Sequence, residues 1–397
     1  MIRLRPLTLT VMALAAAGVI AYVAAELAFP DRLGKVGLLD YEVFRLVAEI
    51  MAEGDLAHAY DPDRFLARQA AQPGFDGHRM FFSYPPPFAL LIAPLAWVPL
   101  WLGYALFMGL SLCLYLWVLR RLSGPAFHTV LVVMGPLILL ILRAGQNGFL
   151  TGALMGLAAL GALRVRAWAG VPLGLMVIKP HLAVGLGIWA LLERRWRLVA
   201  VAAITLVATA GTATLVLGPQ AWALFLSSAE ASSATLRAGD FPLYRMTSVY
   251  AFGLSIGLPV AVSLGLHVVV LLAGVQTLMK LKHRGASGRV MLGAGLCLAA
   301  LVSPYSYDYD LGMLGAAAAL LTVPLMRRTT PAQRRGLLTL IWGISLYGFA
   351  ATALVPRLPV LPISAVGALL IVLLAWVQSI LTDDRTAPQG ANAPAVS

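Results

Sequence analysis

The sequence predicts an all-α polytopic membrane protein. Three observations predict it. Of 397 residues, 60% are hydrophobic and only 12% are charged, against about 25% charged in a soluble domain. Mean hydropathy is +0.86. Apolar runs of about 20 residues, long enough to cross a bilayer, recur along the chain. A soluble cytosolic enzyme, a disordered chain and a disulfide scaffold are thereby excluded. Cys113 and Cys297 both lie in apolar runs and read as small core or lipid-facing residues. The net charge of +12 would suggest nucleic acid in a soluble protein. Here it fits cytoplasmic loops facing anionic lipid, so membrane lipids are the expected partners and nucleic acid is not.

The elements follow in order. Residues 8–29 form the first apolar run, after Arg3 and Arg5. Its length suits a span better than a signal-peptide core, so it reads as an uncleaved anchor. Further runs cover 99–120, 126–143, 147–164, 168–178, 180–193, 198–217, 258–280, 288–303, 310–326, 336–354 and 360–381. With the first run that gives about 12 transmembrane helices. The pair 168–178 and 180–193 is short, so it reads either as two crossings or as one re-entrant hairpin broken at Pro180, leaving 10 spans plus the hairpin. A single integral-membrane domain thus covers 1–381, and 382–397 reads as a disordered cytoplasmic tail.

Basic residues in alternate loops set the orientation. With the N-terminus inside, 18 of the 29 basic residues and only 3 of the 17 acids fall on the inner side. Both termini are then cytoplasmic, in a multi-pass protein of the plasma (inner) membrane. Two outer loops are long, 30–84 and 218–249, and the first holds nine of the acids.

In the first outer loop, Val43, Phe44, Val47, Ile50 and Met51 share one face of an expected helix over 41–53, which reads as an amphipathic helix in the interface plane. Asp40 occupies its expected N-cap position. Asp61-Pro62 opens a second helix, with Asp as cap and Pro in the first turn, ending before Pro73-Gly74. Pro85-Pro86-Pro87 forces an extended entry into 88–98, a re-entrant or juxtamembrane helix.

Ionisable groups at membrane depth are costly and mark function. Four places carry them or lie beside them: Asp40; Arg143 with Gln146-Asn147-Gly148; Lys179-Pro180-His181; and Ser303-Pro304-Tyr305-Ser306-Tyr307-Asp308-Tyr309-Asp310. The topology, assigned from other residues, puts all four on the outer face, as befits a pocket for a polar headgroup carried by a lipid. Each also has a structural reading. Asp40 would be a helix cap, Arg143 and Lys179 snorkelling cations, and Gln146-Asn147-Gly148 a turn. His181 would be a satisfied interior imidazole. Asp308 and Asp310 would be caps or partners of Arg143 or Lys179, and the tyrosines an interfacial belt. Soluble-enzyme motifs are absent: there is no phosphate loop, dinucleotide fingerprint, His-Glu-x-x-His or Cys-x-x-Cys, and the six histidines are scattered.

A set of short motifs carries a resemblance. In order they are Asp40-Tyr-x-Val-Phe, Glu53-Gly54, Ala59-Tyr60-Asp61-Pro62, Tyr84-Pro85-Pro86-Pro87-Phe88, Gly145-Gln146-Asn147, Gly174-Leu-x-x-x-Lys179-Pro180, Arg194-Arg195-Trp196-Arg197, and Ser303-Pro304-Tyr305 with Asp308-Tyr309-Asp310. From about residue 35 to 325 the chain resembles glycosyltransferase family 87 of the GT-C superfamily, which includes polyprenol-phosphate-mannose-dependent mannosyltransferases. The resemblance implies a GT-C-type bundle taking a sugar, mannose favoured, from a polyprenyl-phosphate donor. It implies an acid of the first outer loop as general base, the position Asp40 holds. No histidine of the last motif can be matched.

The chemistry is coherent with such a role. One carboxylate can accept the proton of an attacking hydroxyl in a single inverting displacement. Arg143, Lys179 or Arg245 would stabilise charge developing on the leaving phosphate without a metal or other cofactor. Tyr84, Gln146, Asn147 and His181 are candidates for hydroxyl contacts, and the Tyr305–Asp310 run, with Tyr305, Tyr307 and Asp308 foremost, for the pocket wall. The acceptor would be a lipid or a glycan. The competing reading is a transporter or flippase of a lipid-linked sugar, which broken helices and Lys179 would suit. A non-catalytic scaffold would leave the outer-face cluster unexplained.

Overall fold

The computed structural model describes residues 6–35, 37–238, 241–354 and 363–382. The predicted tail, from 383 onward, lies outside the described residues, as do Arg3 and Arg5. The chain is an all-α membrane protein. Its first helices are α1 (Pro6–Ala28), α2 (Pro30–Leu33), α3 (Asp40–Ala52), α4 (Leu56–Tyr60), α5 (Pro62–Ala70), α6 (Pro86–Ile92) and α7 (Leu100–Ser123). Then come α8 (Phe127–Ala144), α9 (Gly148–Leu163), α10 (Gly170–Leu175), α11 (Val184–Leu192), α12 (Trp196–Leu217) and α13 (Gln220–Ala238). The last are α14 (Val249–Ser255), α15 (Val260–His283), α16 (Gly288–Ala299), α17 (Leu314–Arg328), α18 (Pro331–Leu354) and α19 (Ala365–Thr382).

Among the described residues, six helical stretches are long and apolar enough to cross a membrane: 9–28, 100–144, 196–217, 260–283, 308–328 and 365–382. The second of these is two helices, α7 and α8, joined by the 3-10 turn Gly124–Ala126. Shorter apolar helices cover 86–97, 148–163, 167–178, 180–192 and 288–299. The predicted run 336–354 lies within α18.

The 168–193 pair is broken at Lys179, whose extended φ of −154° ends one half before Pro180 begins the next. Proline disfavours helical backbone at the residue before it. Backbones meet directly where α9 crosses the 3-10 turn Asp308–Met313. A Cβ on Gly148 would lie 2.3 Å from the Tyr309 carbonyl oxygen, and one on Gly312 2.4 Å from that of Gly148. Only glycine permits this approach.

The two ends of the bundle differ. At one end, basic side chains meet the last carbonyls of helices. Arg328 donates to the Leu381 carbonyl oxygen at 2.5 Å, and Arg334 to those of Met326 and Thr329 at 2.6 and 2.8 Å. Arg289, Arg284 and Lys282 donate to the carbonyl oxygens of Leu122, Thr382 and Leu192. Cations at helix C-termini complete unpaired carbonyls and oppose the helix dipole. The other end gathers the N-terminus of α3, the α8–α9 turn, the Lys179 break and the 303–310 segment.

Residues 30–84 depart from their reading in two ways. Helix α3 is buried on most sides, with Tyr41, Val43, Phe44, Leu46, Val47, Ala48 and Ile50 all enclosed. Its apolar face packs on α6 and the 3-10 turn Ala93–Trp97 rather than lying open. Its N-cap is Leu39, not Asp40. Helix α5 forms as expected, the Asp61 carboxylate accepting from the N–H groups of Asp63 and Arg64 at 3.0 Å.

Candidate functional site

The start of α3 is fixed one residue away from Asp40. One Glu42 carboxylate oxygen accepts the Leu39 N–H at 2.8 Å and the other takes the Lys35 ammonium at 2.7 Å. This closes the helix end without the Asp40 side chain. Phe44 seats the helix by meeting the rings of Tyr84, Phe88 and Phe107 at 5.6, 5.0 and 6.0 Å.

Gln146 and Asn147 come from the α8–α9 turn. Gly145 ends α8 at φ +71°, where a Cβ would stand 2.8 Å from the Tyr41 Cβ. The buried Gln146 Oε1 accepts from the Tyr84 hydroxyl at 3.0 Å and from the Asn147 N–H at 3.1 Å. With its oxygen so used, its amide nitrogen is the group left to hydrogen-bond Asp40. Asn147 Oδ1 faces Lys179 Nζ at 3.5 Å, while its Nδ2 is buried without a partner.

Two ion pairs complete the site. Lys179 Nζ reaches Asp310 Oδ1 at 2.5 Å, and both side chains are almost wholly buried. Arg245 grips Asp308 with two contacts, 3.1 and 3.3 Å. The Tyr307 and Tyr309 rings stack between the cations, centroids 5.4 Å apart and planes 8° from parallel. Lys179 lies 5.0 Å from the Tyr309 centroid and 5.3 Å from that of Tyr84. Arg245 lies 5.9 and 5.8 Å from Tyr307 and Tyr309. Such cation–aromatic contacts strengthen when desolvated. An antiparallel bridge between Met246 and Tyr307 seats Arg245, together with the Thr247 N–H donating to the Ser306 carbonyl oxygen at 2.8 Å.

Three carboxylates (Asp40, Asp308 and Asp310) therefore face two cations. Asp40 keeps part of its surface exposed while protein encloses the rest. Burial raises its carboxyl above the ordinary carboxylate range. Arg245 opposes that rise, Asp308 adds to it, and Gln146 and Lys179 oppose it. A carboxylate so held is a stronger base than one in water.

A family model for glycosyltransferase family 87 matches residues 81–304, more than half of the chain. The chain belongs to glycosyltransferase family 87. It is therefore a multi-pass membrane glycosyltransferase. No curated protein and no solved structure shows a match.

In this family 87 chain, Asp40, Tyr84, Gln146, Asn147, Lys179, Arg245, Tyr307 and Asp308 come together. His181 stands within electrostatic reach of Asp310 and Lys179, and its Nε2 is buried without a partner. Two candidates stand elsewhere. Arg143 turns from the cluster towards α1, where it meets Glu26 at 3.5 Å. Tyr305 is exposed and leans edge-on against Tyr250, centroids 6.3 Å apart. Tyr309 and Asp310 belong to the 305–310 run that the sequence reads as pocket wall, and Asp310 pairs with Lys179, one of the partners left open for it. Glu26 was missed, and an acid inside the first apolar run is the signal that could have found it. Gly348 of α18 was also missed. A Cβ there would stand 2.4 Å from Asp308 Oδ2, and no sequence signal marks it.

Proposed function

We propose that the protein transfers a sugar, mannose favoured, from a polyprenyl-phosphate donor to a lipid or glycan acceptor on the outer face of the plasma membrane, with inversion. The observation that carries this reading is Asp40. Its carboxylate is not spent on its own helix and stands within electrostatic reach of Arg245 and Lys179. An acceptor hydroxyl gives its proton to Asp40 as its oxygen attacks the anomeric carbon. The sugar–phosphate bond breaks, and its electron pair leaves on the lipid phosphate. Lys179 and Arg245 stabilise that phosphate in place of a metal. The unpartnered Asn147 Nδ2 and the Tyr84 and Gln146 groups hold sugar hydroxyls.

The orientation rests on the basic residues of alternate loops. They gather at the end of the bundle opposite Asp40. The test is reconstitution with polyprenyl-phosphate sugars, separating transfer from translocation. Sugar transfer abolished in Asp40→Asn supports the reading. Movement of donor lipid across the vesicle membrane without transfer supports a flippase instead.

A further inference from the structure

The pair Arg143–Glu26 lies outside the cluster around Asp40 and faces a groove between α1 and α8. The groove is open and holds about 430 Å³. Ala15, Gly18, Val19 and Tyr22 line it from α1, and Leu139 and Arg143 from α8. Arg143 is the charged residue on this lining, at one end. Below it, Leu139 is one turn down α8. From Tyr22 to Ala15 the slot descends about 10 Å, a third of a hydrocarbon core about 30 Å thick.

Arg143 is only partly committed to Glu26. Both contacts are 3.5 Å long, whereas a charge-assisted bond to a carboxylate runs about 2.7–2.9 Å. Its side chain is 37% exposed and lines the groove. Behind it, Glu26 is 4% exposed and holds the guanidinium at the head of the slot. A guanidinium carries five N–H donors, more than one carboxylate takes up, and is suited to a phosphate oxygen. An apolar slot running down from it into the membrane suits a hydrocarbon chain on that phosphate. A soluble anion would have no use for the slot, and a zwitterionic lipid would gain less from the cation.

We propose that the α1–α8 groove binds one anionic phospholipid of the surrounding bilayer. Its phosphate sits on Arg143, and one acyl chain lies along Ala15, Gly18, Val19 and Leu139. The site is separate from the pocket around Asp40 and stands whether or not the donor assignment does.

The test is lipid retention by the full chain. The protein is delipidated from mixed micelles holding equal phosphatidylglycerol and phosphatidylcholine, and native mass spectrometry counts the lipids that stay. The expected result is one phosphatidylglycerol retained at least tenfold over phosphatidylcholine. Arg143→Gln removes the preference. Gly18→Leu, at a position with nothing within 4 Å of an added Cβ, fills the slot with Arg143 intact and also removes it. Arg121→Gln, a cation over Trp117 at the other end, leaves it unchanged. Equal retention of the two lipids, or unchanged retention in Gly18→Leu, overturns the proposal. A loss in Arg143→Gln alone does too, because it would reflect only the orphaned Glu26.

Discussion

The two ends of this bundle spend their positive charge differently. At the basic end, arginines donate to backbone carbonyls that helices leave unpaired, in places water can also reach. At the site end, Lys179 and Arg245 face carboxylates that are almost completely enclosed. The first arrangement is interchangeable: exposed charge–dipole contacts contribute about 0.3–1 kcal/mol each. The second is not, because an enclosed carboxylate cannot lose its partner without remaining as a bare buried charge. The difference separates charge that completes helix ends from charge held against buried carboxylates.

The sharpest way to break this comparison is Asp40→Asn. Transfer should fall about 10²–10⁴-fold, the usual contribution of a general base, with no loss of thermal stability, since Glu42 rather than Asp40 closes the start of α3. Full transfer by the purified variant would remove Asp40 from the mechanism. Next in size is Lys179→Met, which strands Asp310. Removing one partner of a buried pair costs about 3–5 kcal/mol, readable as a large drop in melting temperature. Lys179→Met with Asp310→Asn should recover much of the stability but not the activity. A double variant as unstable as the single one would mean that the pair is not the source of the loss.

The effect of pH separates base from scaffold. The folded protein holds the Asp40 proton more tightly than the unfolded chain does. That stabilisation is complete below the ordinary carboxylate value of about 3.9 and is lost as pH rises through the raised folded value. Transfer runs the other way, rising over the same window as the base is uncovered. Rate and melting profiles across pH, compared with Asp40→Asn, test this; an acid limb at the ordinary value would contradict it. The smallest effect is expected at the other end. Arg328→Gln should cost at most about 1 kcal/mol and leave transfer unchanged. A collapse of activity there would erase the distinction between the ends.

Much of this was legible because it depends on strong local rules. A proline after Lys179 breaks a helix, Asp-Pro starts one, and long apolar runs have few folded alternatives in a bilayer. What was not legible turns on angle and register. Arg143 lies two residues before Gly145 on a helix whose apolar residues run all around it, so hydropathy cannot say which way its last turn points. Asp308 and Asp310 are two residues apart in a 3-10 turn, and only its geometry gives the first to Arg245 and the second to Lys179. Asp40 was displaced from the cap by a competitor, Glu42, whose second oxygen is occupied by a lysine seven residues upstream.

The close packing of Gly348 on Asp308 has a consequence for modularity. Asp40 precedes the region matched by the family, and Asp308, Asp310 and Gly348 follow it. The most recognisable part of the chain therefore contributes Lys179 and Arg245 without the acids that balance them. A chimera cut at those borders would carry two cations without the acids that pair them, and Arg245 without its tyrosine rings. To transplant working specificity, a designer would have to move α3, the 3-10 turn Asp308–Met313 and α18 along with the recognisable middle, because the chemistry belongs to the seam between them.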